Sequence, residues 1–222
     1  MRGRYAPYVL GSGLVALAAT MLLFVLYALI VREPLVGFLS TAAAAAVTGV
    51  PLRRFGSAKS EPTRREALLA VLLMWIVIPL FGAIPFLLSG FFSPLDALFE
   101  SMSGFTTTGA TVLRDFDSFP DTMFMWRSFS QWVGGIGIIV IFISVFPQLA
   151  IAGRQLFFTE APGPTEERLT PRLRNTANTL LVVYAGLTLA CGLAYLLAGM
   201  NLFDSIAHAF TTLAAGGFSP KP

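Results

Sequence analysis

Residues Ser101 to Leu113 read SMSGFTTTGATVL, an uncharged, Thr- and Gly-rich run set between two much longer apolar stretches. The chemistry open to it is that of its backbone. In a membrane, non-helical backbone survives only where protein buries it or water reaches it. Carbonyl oxygens that must not face lipid can face a cation instead and replace part of its hydration shell. With 13 residues the run is too short to cross a bilayer, which takes about 20 apolar residues at ~1.5 Å each. It is read as a re-entrant pore loop.

Two other groupings invite chemistry. Ser101 or Ser103 with His208, the single histidine, would make an intramembrane serine hydrolase if the imidazole reached a hydroxyl. Gly134, Gly135 and Gly137 in WVGGIGIIV invite a nucleotide-binding reading, but a dinucleotide fingerprint follows a strand and opens a helix in a βαβ unit. Within an apolar run, small residues permit close helix packing, and that reading is preferred. One His and one Cys, Cys191, offer neither a metal cluster nor a disulfide framework.

The elements that must position the loop are apolar helices. The chain is 55% hydrophobic and 12% charged, with a mean hydropathy of +0.74, which argues against a soluble domain. Uncharged runs extend from Tyr5 to Val31, Pro34 to Leu52, Ala67 to Leu95, Ser128 to Gly153 and Asn175 to Phe203. Each is at or near spanning length. The second, which carries Pro34 and Pro51, is read as a span with an interfacial helix as its alternative. A cytoplasmic N-terminus places 11 of the 15 basic residues inside, in the segments Met1 to Arg4, Arg53 to Glu66 and Arg154 to Arg174. That asymmetry follows the positive-inside rule. The net charge of +3 is thereby explained without nucleic acid. Asp96, Glu100, Asp115, Asp117 and Asp121 then surround the loop on the outer side, where acidic groups concentrate cations. Arg127 and Arg154, at the two ends of the fourth run, are expected to anchor it by snorkelling.

Sliding the chain by 108 residues superimposes Arg64 on Arg172, Asp96 on Asp204, Glu100 on His208 and Gly109 on Gly217. Each unit reads as a basic entry, a long apolar helix, a short helix opening near an Asp, and a Gly-containing loop. In the first unit these are Ala67 to about Gly90, Pro94 to Phe105 and Thr106 to Ala110, followed by a return helix of about Met125 to Ala152. In the second they are Asn175 to about Gly199, Phe203 to Leu213 and Ala214 to Phe218. Each short helix points its C-terminus at its loop, where the macrodipole favours a cation.

At these residues the chain resembles the Trk/Ktr/HKT superfamily of potassium transporters, and within it the TrkH-type subunits. The resemblance rests on FESMSGFTTTGATVL (Phe99 to Leu113), WRSFSQWVGGIGIIV (Trp126 to Val140), GRQLFFTEAPGP (Gly153 to Pro164), LTPRL (Leu169 to Leu173) and HAFTTLAAGGFSP (His208 to Pro220). It implies an all-α polytopic membrane protein of helix, pore-loop, helix units, with two extra N-terminal helices in residues 1–52, a first unit in 53–153 and an incomplete second unit in 154–222. It further implies filter carbonyls from Thr107, Thr108, Gly109 and Ala110 and from Ala215, Gly216, Gly217 and Phe218. No cofactor is implied beyond potassium as the transported ion, and no enzymatic activity.

The family setting is a bacterial inner membrane, with the lipid bilayer around the chain and a cytoplasmic nucleotide-binding regulatory subunit as partner, for which Arg154 to Arg174 is the candidate contact. Gly109 favours potassium, since some relatives with Ser there are associated with sodium. The family pore has four loops and this chain supplies two, so it is expected to be the N-terminal part of a transporter and not to conduct alone. The alternatives are a non-conducting assembly module, a homodimer that pools four loops, and a sodium-permeable transporter.

Charge asymmetry predicts Lys59 in the cytoplasm and Asp117 outside. With Cys191 replaced, a membrane-impermeant thiol reagent is expected to label Asp117→Cys and not Lys59→Cys on intact cells; the opposite pattern inverts the topology.

Overall fold

The computed structural model describes residues 4–57, 63–137 and 169–221. Among them the elements are helical: α1 (Tyr5–Val31), α2 (Val36–Phe55), α3 (Arg64–Gly82), α4 (Ile84–Leu88), α5 (Pro94–Phe105), α6 over 121–137, α7 (Leu169–Leu197) and α8 (Leu202–Leu213). Tyr5–Val31, Val36–Phe55, Arg65–Leu88 and Asn178–Leu197 are each long and apolar enough to cross a membrane. Lys59, the return helix beyond 137 and most of the Arg154 to Arg174 loop lie outside the described residues.

Helix α1 is apolar on every face, so its contacts, and not its own pattern, decide which side is inside. Leu14, Met21 and Ala28 are fully buried, while Leu23 and Ile30 are 67% and 71% exposed. Large apolar side chains left on the outside are what a lipid-facing surface presents. The α1–α2 hairpin closes on small residues. A Cβ on Gly11 would sit 2.2 Å from the Arg53 backbone nitrogen, and one on Gly49 would sit 2.7 Å from Leu14 Cβ. Backbone therefore meets backbone, the close approach that glycine permits in membranes. The second apolar run is thus a helix packed along the first.

The third run does not form the single helix expected from Ala67 to about Gly90. It divides at Ala83 into α3 and α4. Pro85 has no N–H to return to the preceding turn, and the Ala83 N–H bonds back to the Pro79 carbonyl at 2.9 Å. The break is used. Ser101 Oγ donates to the Pro79 carbonyl at 2.7 Å and Trp126 Nε1 to the Gly82 carbonyl at 3.1 Å, tying α5 and α6 to the end of α3.

Helices α5 and α8 start alike. Ser93 caps α5 by accepting from the Asp96 N–H, and Asn201 caps α8 by accepting from the Asp204 N–H. Each side-chain acceptor satisfies an otherwise orphaned donor, and the Asp in the first turn suits the positive dipole end. Helix α6 is capped at long range instead: the Glu33 carboxylate, in the α1–α2 turn, accepts from the Asp121 and Thr122 N–H groups at 3.0 and 2.9 Å.

An aromatic layer fills the centre. Phe24 stacks on Phe38 at 5.4 Å and meets Trp126 edge-on at 5.4 Å, and Trp126 in turn contacts Phe105. The three glycines of WVGGIGIIV pack as expected. A Cβ would lie 2.1 Å from the Phe105 carbonyl oxygen at Gly134, 2.4 Å from the Tyr184 hydroxyl at Gly135 and 3.3 Å from Trp75 at Gly137.

Overpacking of this kind costs about 1–3 kcal/mol, and more where the obstacle is backbone. Gly11→Val is expected to lower the unfolding temperature in detergent by several degrees. Gly186→Ala, with nothing within 4 Å of the new methyl group, is expected to leave it unchanged or raise it. Equal effects would refute the backbone contact.

Candidate functional site

The C-termini of α5 and α8 run into loops 106–110 and 214–218, and the two loops share one backbone trace. Thr107 N–H bonds to the Gly104 carbonyl and Thr108 N–H to the Ser103 carbonyl, both at 2.9 Å. Ala215 N–H bonds to the Thr212 carbonyl and Gly216 N–H to the Thr211 carbonyl, both at 3.0 Å. Left-handed φ values recur in the same register: 55° at Thr107 and 52° at Ala215, then 75° at Gly109 and 77° at Gly217. Glycine takes such angles freely, whereas a β-branched Thr at Thr107 is strained.

Peptide geometry then sets where the carbonyls point. In a planar trans peptide the C=O lies opposite the N–H, and no described peptide is cis. With the Thr108 and Gly216 N–H groups turned back onto their helices, the Thr107 and Ala215 carbonyls point away from them. Thr108, Ala110, Ala215 and Gly217 are exposed, while Gly216 and Phe218 are buried. The loops also touch: a Cβ on Gly109 would fall 1.6 Å from the Gly216 carbonyl oxygen. The Ala110 carbonyl is already engaged, accepting from Ser103 Oγ at 2.6 Å. The eight residues singled out from sequence thus lie on two loops that meet where Gly109 abuts Gly216.

Two expectations about charge are corrected. Glu100 is not part of an open acidic mouth and Arg127 does not snorkel; they are 0% and 1% exposed and pair with each other, Arg127 Nε to Glu100 Oε1, at 2.8 Å. Arg127 Nη2 donates to Thr111 Oγ1 at 3.0 Å and Nη1 to the Ser219 carbonyl at 3.2 Å. Its guanidinium lies 4.2 Å from the centre of the Phe218 ring. Glu100 in turn accepts from Thr111 Oγ1 at 2.8 Å and from the Val112 N–H at 3.2 Å. One ion pair therefore holds α5, α6 and the chain leaving both loops. A lone carboxylate and a lone guanidinium in otherwise apolar segments were the available signal, since buried charges must be paired.

Asp96 and Asp204 sit in the first turns of their helices, their N–H groups donating to the capping Ser93 and Asn201, and Asp204 also pairs with Lys221. Asp115, in the exposed loop after the first turn, is held below the usual carboxylate range, chiefly by the Ser118 N–H.

Sequence reasoning also missed Gln131, one turn after Arg127. It is completely buried, its Oε1 accepts from the Phe218 N–H at 3.2 Å, and a Cβ on Gly216 would lie 2.4–2.6 Å from its amide atoms. The hydrolase grouping is not assembled. Ser101 and Ser103 donate to backbone carbonyls, and the His208 ring faces Tyr195 at 5.9 Å. Among the described residues no group of three His, Cys, Asp or Glu is placed to hold a metal ion.

Comparison with known proteins agrees with this picture. The family TrkH, described as a cation transport protein, matches residues 36–222. The Trk system potassium uptake protein TrkH of Halomonas elongata is 47% identical over 165 residues, covering 73% of this chain and 34% of that protein. Its Escherichia coli K12 counterpart is 47% identical over 166 residues, covering 72% of this chain and 34% of that protein. The crystal structure of the potassium transporter TrkH from Vibrio parahaemolyticus superposes with a TM-score of 0.84 at 37% identity, over 99% of this chain and 45% of that one. The chain thus spans about a third of the length of these curated relatives. They are transport proteins and not enzymes, and the hydrolase reading is dropped.

Removing one partner of a buried ion pair typically costs about 3–5 kcal/mol, because the other charge is left uncompensated. Arg127→Met is expected to destabilise on that scale, and Glu100→Gln added to it to recover part of the loss. Denaturant unfolding of the single and double variants in detergent tests this; a double variant no more stable than Arg127→Met would mean that the pair carries no coupling.

Proposed function

This chain belongs to the TrkH family of cation transport proteins, and we propose that it supplies two pore loops of a potassium uptake pathway in the bacterial inner membrane. The observation that carries the proposal is the pair of loops with one backbone trace, set side by side with carbonyls turned away from their helices. Such carbonyls, from Thr107, Thr108 and Gly109 on one side and Ala215, Gly216, Gly217 and Phe218 on the other, would substitute for water around a dehydrated potassium ion, while the Ala110 carbonyl, bonded to Ser103 Oγ, closes the first loop. The C-termini of α5 and α8 add partial negative charge behind them. The ion is substrate, and the chemistry is solvation without bond making or breaking.

In this reading the N-terminus is cytoplasmic and both loops open outward. The cytoplasmic segment of Arg154 to Arg174, most of it outside the described residues, is the proposed contact for a nucleotide-binding regulatory subunit. Because the chain spans about a third of its curated relatives, a transport assay needs the remaining loops. The direct route is a chimera in which this chain replaces the corresponding N-terminal part of the Vibrio parahaemolyticus TrkH. Expressed in bacteria lacking potassium uptake, it is expected to restore growth at low potassium. A chimera that reaches the membrane and takes up no potassium would count against the reading.

In the same chimera, Gly109→Ser is expected to weaken potassium uptake or its selectivity over sodium far more than Gly137→Ala. A side chain at 109 meets both a left-handed φ and the Gly216 carbonyl oxygen, whereas one at 137 meets only the edge of Trp75. Rubidium influx in competition with sodium, at matched membrane levels, distinguishes the two; unchanged selectivity in Gly109→Ser would remove loop 106–110 from the ion path.

A further inference from the structure

We propose that Gln131 is a specificity-determining positioning residue, whose amide holds the second loop so that the Gly217 carbonyl faces the ion path. The inference rests on the transport reading above and extends it to a side chain outside both loops. Gln131 sits on α6, in the first unit, yet its contact is with the second, 87 residues away. The Phe218 N–H reaches Gln131 Oε1 at 3.2 Å. That N–H belongs to the peptide whose carbonyl is Gly217, and in a planar trans peptide the two point in opposite directions. Anchoring the N–H on the α6 side therefore turns the Gly217 carbonyl the other way, and Gly217 is exposed while Phe218 and Gln131 are buried.

The first loop is tied one peptide later and from within its own unit: the Ser103 hydroxyl donates to the Ala110 carbonyl at 2.6 Å. Its counterpart in the second unit, Thr211, instead donates to the His208 carbonyl. The side-chain bond to the second loop comes from the neighbouring unit, at the Phe218 N–H.

The packing explains a sequence difference as well. Gly216 occupies the place that Thr108 has in the first loop, and any Cβ there would overlap the Gln131 amide. Gln131 Nε2 also lies 3.5 Å from the position of a Gly109 Cβ, so the one amide backs both loops where they meet. Nε2 has no hydrogen-bond partner among the described residues. What the amide supplies here, and Met or Leu of similar volume would not, is an acceptor for the Phe218 N–H.

The test uses the chimera with Gln131→Met, which keeps the length and loses the acceptor, and Gln131→Asn, which keeps the amide and shortens its reach. The readout is the ratio of rubidium to sodium influx, which does not depend on how much protein folds. Gln131→Met is expected to lower that ratio by roughly tenfold, the scale of one lost hydrogen bond, with Gln131→Asn lowering it too. Gly137→Ala, on the same helix, is expected to leave it unchanged. An unaltered ratio in Gln131→Met would overturn the proposal, and so would complete loss of influx in both variants, since that assigns Gln131 a purely structural role. If the unsubstituted chimera itself takes up no rubidium, it is the transport reading that fails.

Discussion

The ion pair between Glu100 and Arg127 is the contact on which the rest of the site depends. Burying a carboxylate or a guanidinium alone costs several kcal/mol, and here both are withdrawn from solvent. What makes the arrangement tolerable is the number of hydrogen bonds around it. Arg127 contacts Glu100, Thr111 and Ser219, and Glu100 also accepts from Thr111 and Val112. Planar guanidinium geometry matters, because its donors fork to three acceptors on different segments at once. A lysine would supply charge without that fixed spread.

Around this pair, the protein solves the general difficulty of non-helical backbone at membrane depth. Every N–H in the turn after each short helix needs an internal partner. The helix ends provide it: the carbonyls of Ser103 and Gly104 in one unit and of Thr211 and Thr212 in the other. Once those donors face backward, the carbonyls of the same peptides face forward, so satisfying the backbone N–H groups and turning the carbonyl oxygens away from the helices are one geometrical act. Breaks in the helices serve the same end. The end of α3 leaves the Gly82 carbonyl to Trp126 Nε1, and the Pro79 carbonyl one turn earlier accepts from Ser101 Oγ as well as from the Ala83 N–H; these bonds hold α5 and α6.

The two units are alike in trace and unlike in support. The first has Glu100, Ser103 and Thr108 where the second has His208, Thr211 and Gly216. Its loop is braced from within, by Ser103 on Ala110 and by Glu100 on Val112, while the second loop is braced by Arg127 and Gln131 from across the interface. The loops are consequently not independent. Gly109 abuts Gly216 directly, and a disturbance in either is transmitted through backbone, which cannot rotate aside as a side chain can.

The apolar runs, the start of α5 at Pro94 and of α8 beside Asp204, the glycines at 109 and 217, and the repeat of 108 residues were all legible in the chain by itself. Each depends on interactions within a few residues, such as a cap, a proline's fixed φ or a glycine's freedom, or on hydropathy summed along a span. Tertiary structure alone decided the pairing of Glu100 with Arg127, the Glu33 cap on α6 and the bond from Phe218 to Gln131, which join residues 27 to 92 positions apart together with the Arg127 contact to Ser219. Glu100 in α5 and Arg127 and Gln131 in α6 carry no local mark of which partner each takes. Only when the helices pack, and buried polar groups have nowhere else to turn, does the burial cost select these bonds.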